Sequence, residues 1–511
     1  MTKRLYLFAA FSLGLSSVSY NAIAQDESDA FRYSNLSTQG TARSMGFGGA
    51  LGSIGGDFSS LSVNPAGIGV YRSSEFMLSP AIRLGSVDGS YVGNSMTDNN
   101  SRFTFGNIGL VLTSVPSGRR YQRADWKSVS FGIGINRVAD FNRNYVYSGR
   151  DATSFSELFA LDANQYPDDI TNTNTFAGIG WESYLLDTAN GEFFSVVDWR
   201  ARPRHQKTVR ERGGISEFAI SLGGNYQEKL MLGATLGLPI LRYSRQMSYQ
   251  ETDESGDLNN FFQSFEYTEN LKTEGSGINL KLGAIYKPTD QFRIGLAFHT
   301  PTFYSLKDVQ SRTITTNTEN YKIDLGQQNT NPVTSLLSET DIPIQTFEYN
   351  LITPMRTVVS LAGIIAKSGF VTMDYEYVDH GATRFRYSFE ERAAETFVNK
   401  KIKDSLQGSH IIRLGGEIKL DIIALRAGAG YYSNPFKTYS GDRLDLSVGA
   451  GLRFDSWFLD LALVNTRYNR KEQPFSLAAV PTAQGTPPVT VPYASLDNKF
   501  NTVAITFGVK F

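Results

Sequence analysis

The sequence predicts an all-β protein, a transmembrane antiparallel β-barrel of about 14 strands whose lumen is plugged by an N-terminal hatch. Three observations carry this. Segments of strict apolar/polar alternation recur along the 511 residues, with charges on the face opposite the apolar one. Tight joints and long polar connections alternate between those segments. A secretion leader and a Gly-rich, non-strand stretch precede the first of them.

The leader comes first. Lys3 and Arg4 are followed by an apolar run over residues 5–15, and Ala22-Ile23-Ala24 supplies the small-x-small pattern of a cleavage site. Residues 1–24 are therefore expected to be a signal peptide, cut before Gln25. The apolar run is too short for a membrane helix, which needs about 20 residues. With Cys 0, neither a lipoprotein anchor nor a disulfide framework is available. Losing Lys3 and Arg4 takes the net charge from −1 to −3, and nothing in that balance selects a nucleic-acid partner.

Residues 25–72 are read as the hatch. The stretch 40–57 is small and Gly-rich, which suits either a compact irregular segment or a flexible leader. Met45, Phe47, Leu51, Ile54, Phe58, Leu61 and Val63 give it an apolar surface to pack, and so favour the compact reading.

Residues 73–511 are read as the barrel. In residues 443–454, Leu444, Leu446, Val448, Ala450, Leu452 and Phe454 alternate with Arg443, Asp445, Ser447, Gly449, Gly451 and Arg453. A helix would scatter these apolar residues around its circumference, whereas a strand gathers them on one face. Comparable segments lie at 75–84, 104–114, 127–137, 215–226, 230–247, 261–286, 291–302, 355–365, 370–377, 410–420, 423–432, 457–468 and 498–511. Tight joints at 227–229, 287–290, 366–369, 421 and 455–456 all fall on one side if the first strand runs outward. Long polar stretches at 139–214, 305–345, 381–408 and 469–497 fall on the other, the asymmetry of outer-membrane barrels. Trp126 and Trp457 sit at strand starts on the tight-joint side, where an interfacial aromatic girdle belongs. A soluble all-β protein would instead have to bury every one of these apolar faces.

Little in the chain reads as an enzyme. His205, His299, His380 and His410 are scattered without metal-ligand spacing, so neither a metal nor a cofactor is expected. Asp374, Glu376, Arg413, Glu417, Arg426 and Arg453 face inward in this reading and are expected to form a lattice holding the hatch. The longest connection, 139–214, is unusually apolar. Ser154-Phe155-Ser156-Glu157 has the spacing of a capping box and predicts a short helix. Phe155, Leu158, Phe159, Trp181, Tyr184 and Leu185 then form either a capture groove for a hydrophobic ligand or a self-packed cap.

The stretch from Asp57 to Gly67 resembles the end of the hatch in the FadL/TodX family of outer-membrane transporters of long-chain fatty acids and aromatic hydrocarbons. The resemblance rests on Asn64-Pro65-Ala66, on Asp57 seven residues earlier, and on the small-residue run with Arg43. It implies a 14-strand barrel, and a hatch motif lying against an inward kink of the third strand that opens a hole in the wall. Glycine inside a strand often marks a bulge, so Gly132 and Gly134 are the kink candidates, although glycines also fill barrel lumens, as at Gly428 and Gly430. The implied function is passive transport of a hydrophobic small molecule across the bacterial outer membrane. The expected partners are that ligand, the surrounding lipids and, during biogenesis, the machinery that reads a C-terminal strand ending in Phe511. The alternative is an outer-membrane interaction protein serving protein secretion or assembly.

Overall fold

The computed structural model describes residues 25–37, 39–258, 260–319, 335–365, 368–475, 477 and 490–511. The expected signal peptide lies outside them. The predicted segments become a ring of 14 antiparallel strands. They are β1 (Glu75–Tyr91), β2 (Asn94–Ser114), β3 (Trp126–Asp140), β4 (Arg204–Tyr226), β5 (Leu230–Thr252), β6 (Ser264–Tyr286) and β7 (Phe292–His299). The second half comprises β8 (Arg356–Ile365), β9 (Gly369–Asp379), β10 (Gly408–Leu420), β11 (Ile423–Tyr432), β12 (Arg443–Arg453), β13 (Trp457–Glu472) and β14 (Ala494–Lys510). Each strand pairs with the next, and β14 returns to β1 from Glu75↔Lys510 to Ser90↔Ser495, so the ring has no free seam there. Closure satisfies the backbone groups that lipid cannot.

Alternation decides which face is which. Leu232, Leu236 and Ile240 of β5 point outward and are exposed, as are Leu459, Leu461 and Leu463 of β13. Buried between them on the lumenal face lie Thr235 and Asp460. Trp126 packs edge-on against Tyr226 with ring centroids 5.6 Å apart, and Phe454 stacks on Trp457 at 4.3 Å, both at the tight-joint rim. At the 227–229 joint, Gln227 and Glu228 both adopt positive φ, the geometry of a two-residue hairpin turn whose twist matches the strands.

The long connections hold more strand than their sequence suggests. Within 139–214, residues Arg143–Arg150 pair with the outer half of β4, which leaves 151–203 as the loop proper. Within 305–345, strands Phe303–Glu319 and Ser335–Ile352 form a hairpin that also pairs with β6. The inner face of the first of these strands mixes Tyr304, Leu306 and Ile314 with Asp308, Gln310 and Arg312, all buried, so the sequence lacks the apolar/polar alternation of a lipid-facing strand. Pro301 and Pro354, which cannot donate to a ladder, separate this hairpin from β7 and β8.

The hatch fills the lumen. Its first helix, α1 (Glu27–Ser34), starts in a capping box made by Asp26 and Asp29, and α2 (Ala42–Gly46) is capped by Thr41. A short α3 (Ser60–Val63) leads into a 3-10 turn over Pro65–Val70 and then β1. After α2, Gly48 takes φ +75° and lies so close to the β10 and β11 backbones that a Cβ would come within 3.0 Å of Leu414 O.

The expected charge lattice holds the hatch in place. Arg43 Nε donates to Glu417 at 3.2 Å, and Arg426 bridges Glu417 at 2.6 Å and Asp460 at 2.8 Å, where Arg453 also binds. Arg356 donates to Glu376 at 2.7 Å, with Arg413 on the other carboxylate oxygen. Asp374 accepts from the Gly52 N–H at 3.0 Å. Buried charges persist only when paired in this way.

Candidate functional site

The wall of the barrel is interrupted between β2 and β3. These strands pair only from Asn107↔Asn136 to Ser114↔Val129. Farther out, β2 continues along β1 to the hairpin tip, whereas β3 turns away from it. The register of β3 on β4 shifts between Arg137 and Ala139, leaving Val138 as the extra residue of a bulge. Asp140 pins the bend, accepting from Arg83 at 2.8 Å, Arg137 at 3.1 Å and the Asn142 N–H at 3.0 Å. Beyond it, residues Arg143–Arg150 pass close to the end of β1, where a Cβ on Gly89 would sit 2.3 Å from Val146 O.

The hatch takes the place that β2 vacates. The Ser37 N–H donates to Val138 O at 2.8 Å and the Gln39 N–H to Arg137 O at 2.9 Å, with Gln39 and Arg137 forming an antiparallel bridge. On the outer side of this closure lies a cavity of about 820 Å³ bordered by Phe103, Phe105, Ile108, Ile135 and Arg102. The first four are exposed on the lipid face. On the inner side, above the hatch, lies a chamber of about 220 Å³ lined by Phe31, Phe141, Phe436, Arg32 and Arg443 among others. Asn142 lines both spaces. The arrangement is a lumenal chamber, a break in the wall between β2 and β3, and between them Ser37 and Gln39 of the hatch, each bonded once to the β3 backbone.

No family model matches the chain, and no curated protein does. Among solved structures, that of a Pseudomonas aeruginosa FadL homologue aligns with a TM-score of 0.53 at 14% identity, over 92% of this chain and 98% of that one. The chain has the FadL fold. The Pseudomonas putida toluene transporter TodX aligns at 0.48 and 13% identity, over 92% of this chain and 98% of its own. The Ralstonia pickettii toluene transporter TbuX aligns at 0.47 and 13% identity, over 93% and 99%.

Within this FadL fold the hatch motif is an anchor. Asn64 is fully buried, donating through Nδ2 to Gly52 O at 2.6 Å and Ala284 O at 3.3 Å and accepting from the Ala66 N–H at 3.1 Å. It is seated on β5 and β6, where a Cβ on Gly283 would fall 1.9 Å from Asn64 Oδ1 and one on Gly233 2.4 Å from Pro65 O. Asp57 braces the hatch internally, accepting from Thr41 Oγ1 at 2.6 Å and the Ser59 N–H at 2.9 Å. Contact with β3 is made instead by Phe58, Leu61 and Ser62, the last accepting from Asn136 at 2.9 Å.

Gly132 and Gly134 are not the kink. Both lie in regular ladder, paired to Val111 and Gly109 on one side and to Ser221 and Ala219 on the other. Their missing side chains make room for Leu61 and Phe58. The bend comes at Val138, and its residues (Ser37, Gln39, Arg137, Asp140 and Asn142) lack a local sequence signal because a bulge is defined by what pairs across it.

The loop residues also divide. Phe155, Phe159 and Leu185 are buried in an aromatic core with Tyr249, Tyr267 and Phe475, formed as α5 (Glu157–Gln165) packs against α6 (Phe176–Glu182). They build a closed cap rather than a groove, because two short amphipathic helices cover each other's apolar faces. Ser154 does not cap α5; its Oγ donates to Glu251 at 2.6 Å, and the Phe155 N–H donates to the same carboxylate at 2.7 Å, tying the cap to β5. Leu158 packs at the edge of this core. Trp181, 39% exposed, stands on the outside against Phe193, and Tyr184 holds the positive-φ turn after α6. Where β9 leaves the wall, burial pushes His380 down to about 3, so the neutral imidazole meets Ser34 Oγ through Nδ1 at 2.9 Å.

Proposed function

We propose that this protein sits in the bacterial outer membrane and passes hydrophobic small molecules passively through the side of its barrel. The observation that carries this is the break between β2 and β3, closed by Ser37 and Gln39 of the hatch, with a chamber on one side and a lipid-facing cavity on the other. A hydrophobic solute leaving sideways enters the hydrocarbon layer without crossing water, which is the favourable direction for apolar surface. The solved relatives in fold include a FadL homologue and toluene transporters, and both long-chain fatty acids and monoaromatic hydrocarbons are substrate classes consistent with that route. Ser37 and Gln39 of the hatch act as the gate, Arg137, Val138 and Asp140 as its frame, and Trp181 with Phe193 as the outermost apolar landing surface.

Because the chain has no cysteine, the gate can be locked by one engineered disulfide. Gln39 and Arg137 face each other across an antiparallel bridge, a spacing of about 4.5–5.5 Å between Cα atoms that a disulfide accepts. In Q39C/R137C, uptake of a fluorescent long-chain fatty acid and of radiolabelled toluene into cells should fall under oxidation and recover with reductant. Undiminished uptake of both compounds by the oxidised protein would sink the lateral route.

A further inference from the structure

A second feature lies on the outer face, away from the chamber. Along β5, the outward positions from Leu230 to Ile240 are apolar, and the next is Arg242. Ten residues of tilted strand span about 25 Å of membrane normal, the height of the apolar band, so Arg242 is the first outward residue past it on the long-loop side. On β4 the outward series passes Leu222, Ile220 and Phe218, then Ser216 and Gly214, and ends in Arg212 and Arg210.

The register gathers these arginines. Gly214 pairs with Arg242, Arg212 with Ser244 and Arg210 with Gln246, so the three side chains share one face as diagonal and alternate neighbours. All three are exposed. Among the described residues none of them forms an ion pair or a side-chain hydrogen bond. Glu274, opposite Arg242, is engaged at 3.1 Å by Lys272. Like charges side by side on a sheet destabilise it, so the sheet gains nothing from this cluster by itself. Guanidinium groups are planar forks that match phosphate oxygens two at a time.

We propose that Arg210, Arg212 and Arg242 form a docking site for a phosphate-bearing lipid headgroup of the leaflet on the long-loop side. The acyl chains lie below on Phe218, Ile220 and Ile240, and the headgroup is held at the end of the apolar band. Arg212 and Gly213 also border the cavity at the β2–β3 break, so the bound lipid stands at its rim. The inference rests on charge, register and belt height, and is independent of what the barrel transports.

The test uses the full chain in detergent micelles, with bis-phosphorylated lipid A as the probe and native mass spectrometry as the readout. Lipid A stripped of both phosphates, and inorganic phosphate in excess, are the comparison arms. R210Q/R212Q/R242Q should weaken binding about 100-fold, as expected for three surface cations facing anionic lipid. R119Q/R120Q/R123Q, the same change of charge on the helix α4 (Arg119–Arg123) at the tight-joint rim, should leave it unchanged. Should the triple variant not fold, R242Q alone should cost about fivefold. Equal losses in both triple variants, no loss in either, equal binding of the dephosphorylated lipid, or displacement of the lipid by inorganic phosphate would each overturn the proposal.

Discussion

Asn64→Ala should release the hatch without opening the ring. The side chain is wholly buried and makes three hydrogen bonds, to Gly52 O, Ala284 O and the Ala66 N–H. Each bond contributes about 1 kcal/mol net, and a buried partner left without a bond costs about 1–3 kcal/mol more. The sum is about 4–6 kcal/mol, set against the local stability of the hatch rather than that of the barrel. The 14 strands are bonded to one another all the way round, so their protection does not depend on the hatch. Hydrogen exchange read by mass spectrometry separates the two. Amides over 41–70 should exchange at least about 100-fold faster in the variant, while those of β12 to β14 keep their wild-type rates. Cells carrying it should also become more permeable to bulky polar antibiotics. Unchanged exchange over 41–70, or an equal loss of protection throughout the barrel, would refute the anchoring role of Asn64.

Other expectations follow from the same contacts. Gly109→Ala puts a Cβ 2.1 Å from the buried Phe58 ring and should loosen hatch seating by about 1–3 kcal/mol, with F58L restoring protease resistance. His380 is buried and neutral, with its folded value held far below that of a free imidazole, so its contribution is full above about pH 6.5 and is lost on acidification. Between pH 7 and pH 5 that linkage weakens the α1 end of the hatch by about 2 kcal/mol, and H380N should flatten the pH dependence of proteolysis near Ser34. Phe159→Ala empties the cap core and should cost about 3–5 kcal/mol there, read as new cleavage within 151–203. Trp181→Ser, on the cap exterior, should leave that cleavage pattern unchanged while reducing ligand capture.

The ring was legible in the sequence because a lipid-facing barrel imposes period 2 on every crossing strand. Each predicted segment, from 75–84 to 498–511, falls within or on one of β1 to β14. Strand outside the membrane was not legible: Thr313, Thr315 and Asn317 alternate with residues no more polar than themselves, so the hairpin from Phe303 read as loop. The resemblance put the hatch motif against the third strand, whereas Asn64 and Pro65 sit on β5 and β6. That depends on Gly233 and Gly283, more than 160 residues away, being empty at the right register. The resemblance pointed to a break at the third strand, but its exact place stayed hidden for a related reason. Val138 looks like any strand valine until the partner that fails to follow it is known. Phe155, Phe159 and Leu185 showed the opposite limit, since an apolar loop residue reads the same in a cap core and in an open groove.

The closure of β14 onto β1 also sets a timetable. The hatch is synthesised before any strand, yet several of its contacts are held by groups made late in the chain: Asp374, Glu417 and finally Thr506, which accepts from the Ala42 N–H at 2.7 Å. Until the last strand zips shut, Ala42 has no wall to bind. The plug is thus completed by the act of sealing the pore, and an assembly intermediate with an unsealed edge is also one with an unfinished stopper.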